Sequence, residues 1–140
     1  MLNKQQLELK NRLLNFLESD KFGYFGVLGA GGTGKTYTIC QVINTENALF
    51  LGATNKVCNQ LNKELNDNGY YKSQVKTIDR FFGYRGVKDH NNKPTGTYKL
   101  PKDDLIPNVI IIDEISLINN SHFDLLQTLK DKRKIILIGD

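Results

Sequence analysis

The chain lacks any apolar run approaching the ~18 residues that a membrane-spanning helix needs, so no such helix is expected. Its first residues are not apolar either. Asn3, Lys4, Gln5 and Gln6 are polar, and no secretory signal is read there. Cysteine is scarce: Cys40 and Cys58 stand alone, without the CxxC spacing of a zinc or redox site. Both are expected to be buried thiols of a reducing cytoplasm, not a disulfide. Histidine is equally scarce. His90 and His122 are isolated, and each is read as a surface residue rather than a metal ligand. No repeat and no low-complexity tract interrupts the sequence.

What is present suits one soluble domain. Of the 140 residues 39% are hydrophobic and 24% charged, enough to build a core. The net charge of +4 is unevenly placed. Residues 70–100 hold Lys72, Lys76, Arg80, Arg85, Lys88, Lys93 and Lys99 against Asp79 and Asp89. The same stretch holds Tyr70, Tyr71, Phe81, Phe82, Tyr84 and Tyr98. Cations neutralise phosphates and rings stack on bases, a pairing that suits single-stranded nucleic acid. A solvated loop beside core aromatics has the same composition.

Periodicity predicts alternating helices and strands. Leu7, Leu13, Leu14 and Leu17 are near helical spacing, giving a helix over 3–19. Asn3 followed by Gln6 matches a capping box. Strands are expected at 24–29, 48–53, 109–114 and 134–139, and helices at 35–44, 55–67 and 121–130, the last capped by Ser121. Apolar strands alternating with helices imply an α/β fold with a parallel sheet. Residues 83–100, with the turn-rich "NNKPTG", read as an inserted β-hairpin with strands near 84–88 and 96–100.

"GAGGTGKT" (29–36) matches G-x-x-x-x-G-K-[ST] between a strand and a helix. Backbone N–H groups of Gly31, Gly32, Thr33 and Gly34 would cradle phosphates. Lys35 would reach the β- and γ-phosphates, and the Thr36 hydroxyl would ligate Mg²⁺. "VIIIDEIS" (109–116) supplies the acidic half. Asp113 would hold Mg²⁺ through its water shell, and Glu114 would orient or deprotonate the attacking water. Adjacent carboxylates repel each other, and a cation gives the pair its reason. The implied chemistry is Mg-NTP hydrolysis by positioning and electrostatics.

In this setting the chain resembles the first motor domain of superfamily 1 DNA helicases, of the RecD-like group that includes the phage Dda helicases. The resemblance runs over nearly all of it, as a RecA-like P-loop domain. "LNKQQ" (2–6) resembles the Q motif, which implies that Gln6 reads the adenine of ATP; the capping role competes for the same side chain. "GATNKVCNQL" (52–61) resembles motif Ia, which implies Thr54 and Asn55 near the DNA backbone. "KTIDRFFG" (76–83) resembles motif Ib, which implies Thr77 on a phosphate. "ILIGD" (136–140) resembles the start of motif III. Two residues depart from the pattern: Ala53 stands for a proline and Asp79 for a histidine. An acid facing a phosphate is unfavourable, so Asp79 is expected to point elsewhere.

The resemblance further implies that 134–139 slots between the phosphate-loop strand and the acidic strand. It implies that 83–100 is a strand-splitting pin, with Tyr98 or Tyr84 meeting the fork. It places the chain as a fragment ending before the motif III glutamine, with a second motor domain and its arginine fingers supplied elsewhere. Single-stranded DNA is then the partner, 5′-to-3′ the polarity, and Mg-ATP hydrolysis by this part alone weak. Strand 24–29 would be left as an open apolar edge. Another kind of P-loop ATPase and a non-catalytic binding module are the competing readings.

Overall fold

The computed structural model of the chain describes residues 2–29, 34–44, 47–83, 85–88, 90–92 and 94–139, with backbone alone for 85–88 and 94–97. In order the elements are α1 (Lys4–Glu18), β1 (Gly23–Leu28), α2 (Lys35–Cys40), β2 (Ala48–Gly52), α3 (Asn55–Asp67), β3 (Gln74–Thr77) and α4 (Ile78–Phe81). They continue with β4 (Arg85–Lys88), β5 (Pro94–Thr97), β6 (Val109–Asp113), α5 (Asn120–Leu129) and β7 (Lys134–Gly139). Among the described residues no helix is long and apolar enough to cross a membrane.

Five strands form an all-parallel sheet in the order β1-β7-β6-β2-β3. β7 lies between β1 and β6, as the resemblance implied. The central strands are apolar on both sides because both faces are covered. Ile110, Ile111 and Ile112 have no exposed surface, and each contributes about 1.5–3 kcal/mol by burial. One face packs on α1, α2 and α3 through Leu13, Ile39, Leu61 and Leu65. The other packs on α4 and α5 through Ile78, Phe81, Leu126 and Leu129. This is the RecA-like α/β fold expected. β4 and β5 form a separate antiparallel ribbon.

Several boundaries differ from expectation. α2 ends at Cys40, where Val42 N–H shifts to the Ile39 carbonyl and the helix tightens into a turn. α5 is capped by Asn119 and not Ser121: Asn119 Oδ1 accepts from His122 N–H at 2.9 Å. The short strand β3 was unexpected, since "QVKT" has only one strongly apolar residue. The second hairpin strand is Pro94–Thr97 rather than 96–100, because the chain turns back into the core from Tyr98. Lys99 N–H donates to the Phe82 carbonyl at 2.7 Å and closes the hairpin's foot.

Candidate functional site

All the residues singled out on the sheet meet at its C-terminal edge, where parallel sheets build their sites. Gly52 at the end of β2 is in register with Thr77 of β3 on one side and Asp113 of β6 on the other. Leu28 of β1 is in register with Gly139 of β7. The end of β1 and the turn after β6 therefore lie on the same side of the sheet.

Gly34 opens α2 with φ 74°, a left-handed conformation that glycine adopts without a Cβ penalty. The Lys35 ammonium donates to the Gly29 carbonyl and, at 3.2 Å, to that of Gly139. It is thereby held at the mouth between the ends of β1 and β7. Thr36 is buried beside it. Thr38 Oγ1 donates to the Gly34 carbonyl at 2.9 Å and ties the loop's last residue to the helix. Gly31, Gly32 and Thr33 lie outside the described residues.

Asp113 is half-buried at the end of β6 and accepts from Glu114 N–H at 3.0 Å. Glu114 is exposed, and its backbone is left-handed at φ 57° and ψ 59°. For a residue with a Cβ that conformation costs about 1–2 kcal/mol. Such strained residues cluster at functional turns, and this one directly follows Asp113 at the C-terminal end of β6. β7 fits closely against this turn. A Cβ on Gly139 would stand 2.8 Å from Ile115 Cγ1.

Gln6 has the capping role, and its amide nitrogen lies beside Gly34. Its Oε1 accepts from Asn3 N–H at 3.0 Å, and Asn3 Oδ1 accepts from Gln6 N–H at 2.8 Å, a complete capping box. Its Nε2 lies beside Gly34, 2.5 Å from where a Cβ on that residue would be. Asn3, Gln6, Arg12, Val27, Gly34 and Lys35 help to line a cavity of about 800 Å³. Arg12 was not singled out from the sequence. Its position two turns beyond Gln5, on the same helix face, is the signal that would have found it.

The second half of the edge is richer in hydroxyls and cations. Thr54 caps α3, accepting from Val57 N–H at 3.2 Å, and Thr77 caps α4, accepting from Arg80 N–H at 3.1 Å. Capping uses a lone pair, so each hydroxyl keeps its own proton to donate. Asn55, Lys56 and Arg80 are exposed nearby in sequence. Burial pushes the Cys58 thiol up, and the Asp113 charge adds to this; burial pushes the Cys40 thiol up to about 12. Both are free and buried, as expected.

Two expectations are corrected here. His122 is not a surface residue: it is buried, with Nε2 2.8 Å from Asp79 Oδ1. Asp79 does point elsewhere, and this is where it points. Tyr98, expected in the second hairpin strand, lies just beyond it. Its ring packs edge-on against Phe82 at 6.5 Å and His122 at 5.9 Å between centroids, at the hairpin's foot. Tyr84 lies outside the described residues.

A family model described as an AAA domain matches residues 19–140. The chain belongs to the AAA domain family. The AAA domain is 26% identical over 161 residues to "Uncharacterized protein R530" of Acanthamoeba polyphaga mimivirus, covering 100% of this chain and 32% of that protein. In structure it is similar to a Pif1 helicase studied unwinding forked dsDNA, with TM-score 0.65 and 17% identity over 100% of this chain and 33% of that one. It is also similar to the large terminase of a thermophilic bacteriophage in complex with ATP-gamma-S. There the TM-score is 0.51 and the identity 17%, over 99% of this chain and 38% of that one. The AAA domain thus spans about a third of the length of these relatives. Its fold is the α/β P-loop fold seen in these helicase and terminase structures.

Proposed function

We propose that this AAA domain is the ATP-binding motor part of an ATP-dependent DNA helicase that tracks along single-stranded DNA, 5′ to 3′. The observation that carries the reading is the placement of the Lys35 ammonium at the mouth of the Gln6-lined cavity, on the edge that also presents Asp113 and Glu114. The donor set fits a nucleotide with its cation: an ammonium, a glycine-turned loop, a buried threonine and a strand-end carboxylate. When bound, Mg-ATP supplies the phosphoryl group and a cation. Gly31, Gly32, Thr33 and Gly34 would bind its phosphates. Lys35 would neutralise the β- and γ-oxygens. Thr36 and Asp113 would hold the cation. Glu114 would orient water and accept its proton.

The similarity to a helicase acting on DNA supports single-stranded DNA along Thr54, Asn55 and Thr77, with the β4–β5 ribbon beside it. Ring packing assigns Tyr98 to holding that ribbon rather than to meeting a fork. A second motor domain, in a longer chain or a separate one, completes the motor. An arginine finger there contributes on the order of 10³–10⁵ in rate, so this part alone hydrolyses ATP weakly.

The test is nucleotide binding and hydrolysis with and without oligo(dT). The wild-type chain should bind a fluorescent ATP analogue only with Mg²⁺. Lys35→Ala should weaken that binding at least about tenfold, roughly 1.4 kcal/mol. Glu114→Gln should bind normally and lose the residual hydrolysis. Retained binding in Lys35→Ala would overturn the site. Binding with no effect of DNA would favour a P-loop ATPase of another kind.

A further inference from the structure

The family pattern left one residue without a role: Asp79, the acid in the motif that should meet a phosphate. Its partner is set by two further bonds. Asn119 N–H donates to His122 Nδ1 at 3.3 Å, within the capping box that starts α5. A backbone N–H is only a donor, so Nδ1 is the acceptor and the ring proton sits on Nε2. That proton is donated to Asp79 Oδ1 at 2.8 Å. The imidazole is 6% exposed and the carboxylate 48%. The bond therefore runs from the core to the surface.

What it joins matters. α4 is one turn long, and Thr77, the expected phosphate contact, is its cap. So short a helix has little stability of its own, and its position follows what it packs on. On the other side, α5 begins after the turn that carries Glu114 and Ile115. Tyr98, at the foot of the ribbon, packs on the same imidazole. One buried side chain thus contacts the nucleic-acid side through Asp79, the ribbon through Tyr98, and the helix following the acidic turn through Asn119.

We propose that Asp79 and His122 form a positioning pair that couples nucleotide occupancy to the grip on single-stranded DNA. Movement of the Glu114 turn shifts the start of α5, His122 moves with it, and Asp79 carries α4 and Thr77. The pair takes no part in the chemistry. The inference rests on the helicase reading.

The experiment measures the affinity of a fluorescein-labelled oligo(dT) by anisotropy, with and without Mg-AMP-PNP, and takes the ratio. Nucleotide affinity is measured separately without DNA. The wild type should show a ratio of about fivefold or more, the lower range of measured couplings. Asp79→Ala and His122→Asn should each bring the ratio near one, with nucleotide affinity unchanged within about twofold. His122→Asn keeps an acceptor for Asn119 N–H and loses the reach to Asp79 together with the ring contact to Tyr98; Asp79→Ala leaves that ring contact in place. Asp79→Asn keeps a carbonyl acceptor for Nε2–H and should retain the ratio. Circular dichroism checks that each variant folds.

A wild-type ratio in Asp79→Ala, or uniformly weaker binding with the ratio intact, overturns the pair as a coupling device. So does a wild type that binds DNA with no nucleotide effect. A wild type that binds nucleotide and no DNA at all overturns the helicase reading itself. The two failures are told apart because one appears in the variants or the ratio and the other in wild-type DNA binding.

Discussion

The carboxamide of Gln6 has its oxygen on Asn3 N–H and its nitrogen toward Gly34, so the cap and the proposed nucleotide contact would use different atoms. They separate by substitution. Gln6→Glu keeps a capping-box acceptor, because Glu and Gln serve that position alike. It replaces an amide donor facing the phosphate loop with a carboxylate that repels phosphate. Stability should stay within about 0.5 kcal/mol of wild type, since the cap survives. Affinity for Mg-ATP should fall about tenfold, roughly 1.4 kcal/mol. Urea melts and fluorescence titration measure the two. A variant that loses stability and keeps its affinity would make Gln6 a cap and nothing more.

At the scale of elements, the acidic turn depends on the strand beside it. A Cβ on Gly139 would meet Ile115 Cγ1 at 2.8 Å, Cδ1 at 3.1 Å and Leu28 Cδ2 at 3.6 Å. The Ile115 side chain must give way, and Ile115 directly follows Glu114. Gly139→Ala should cost about 1–2 kcal/mol by overpacking. It should lower hydrolysis more than nucleotide binding, because Lys35 uses the Gly139 carbonyl, which alanine retains. Chemical denaturation and single-turnover hydrolysis would show this; equal losses in both activities would contradict it.

The same elements show what the sequence made legible. β2, β6 and β7 announced themselves because strands buried on both faces must be apolar throughout, and β1 because its apolar run leads into the glycine-rich motif. The phosphate loop and the acidic pair were legible because their chemistry fixes residue types at fixed spacings. β3 and α4 were not. A four-residue edge strand and a one-turn helix take their shape from neighbours, with Thr77 serving as end of one and cap of the other. His122 was misread for a related reason. Its burial is set by Asp79, 43 residues away, and no local pattern reports such a partner. Tyr98 was expected in the second hairpin strand because the turn residues were visible and its contacts with Phe82 and His122 were not.

Across the whole molecule, the two ends of the sheet divide the work. The C-terminal edge gathers Lys35, Asp113, Thr54 and Thr77, while the opposite edge is bound by structural cations. Lys134 donates to the carbonyls of Phe16, Ser19 and Lys21 and so ends α1, and buried Arg133 holds Asp103 at 3.0 Å. The exposed side is β1. Its one strand neighbour among the described residues is β7, which leaves its outer N–H and carbonyl groups unladdered. Leu28 is 69% exposed, and nothing lies within 4 Å of where a Cβ on Gly26 would stand. An open apolar edge of this kind recruits another strand. The chain alone should therefore associate as its concentration rises, and sedimentation velocity over a dilution series would show it. Gly26→Lys puts a charge into the open space beside that edge without meeting any neighbour. It should weaken association about tenfold, roughly 1.4 kcal/mol, and leave the melting midpoint nearly unchanged. A wild-type chain that stays monomeric throughout the series, or a lysine variant that associates as before, would place the contact elsewhere than β1.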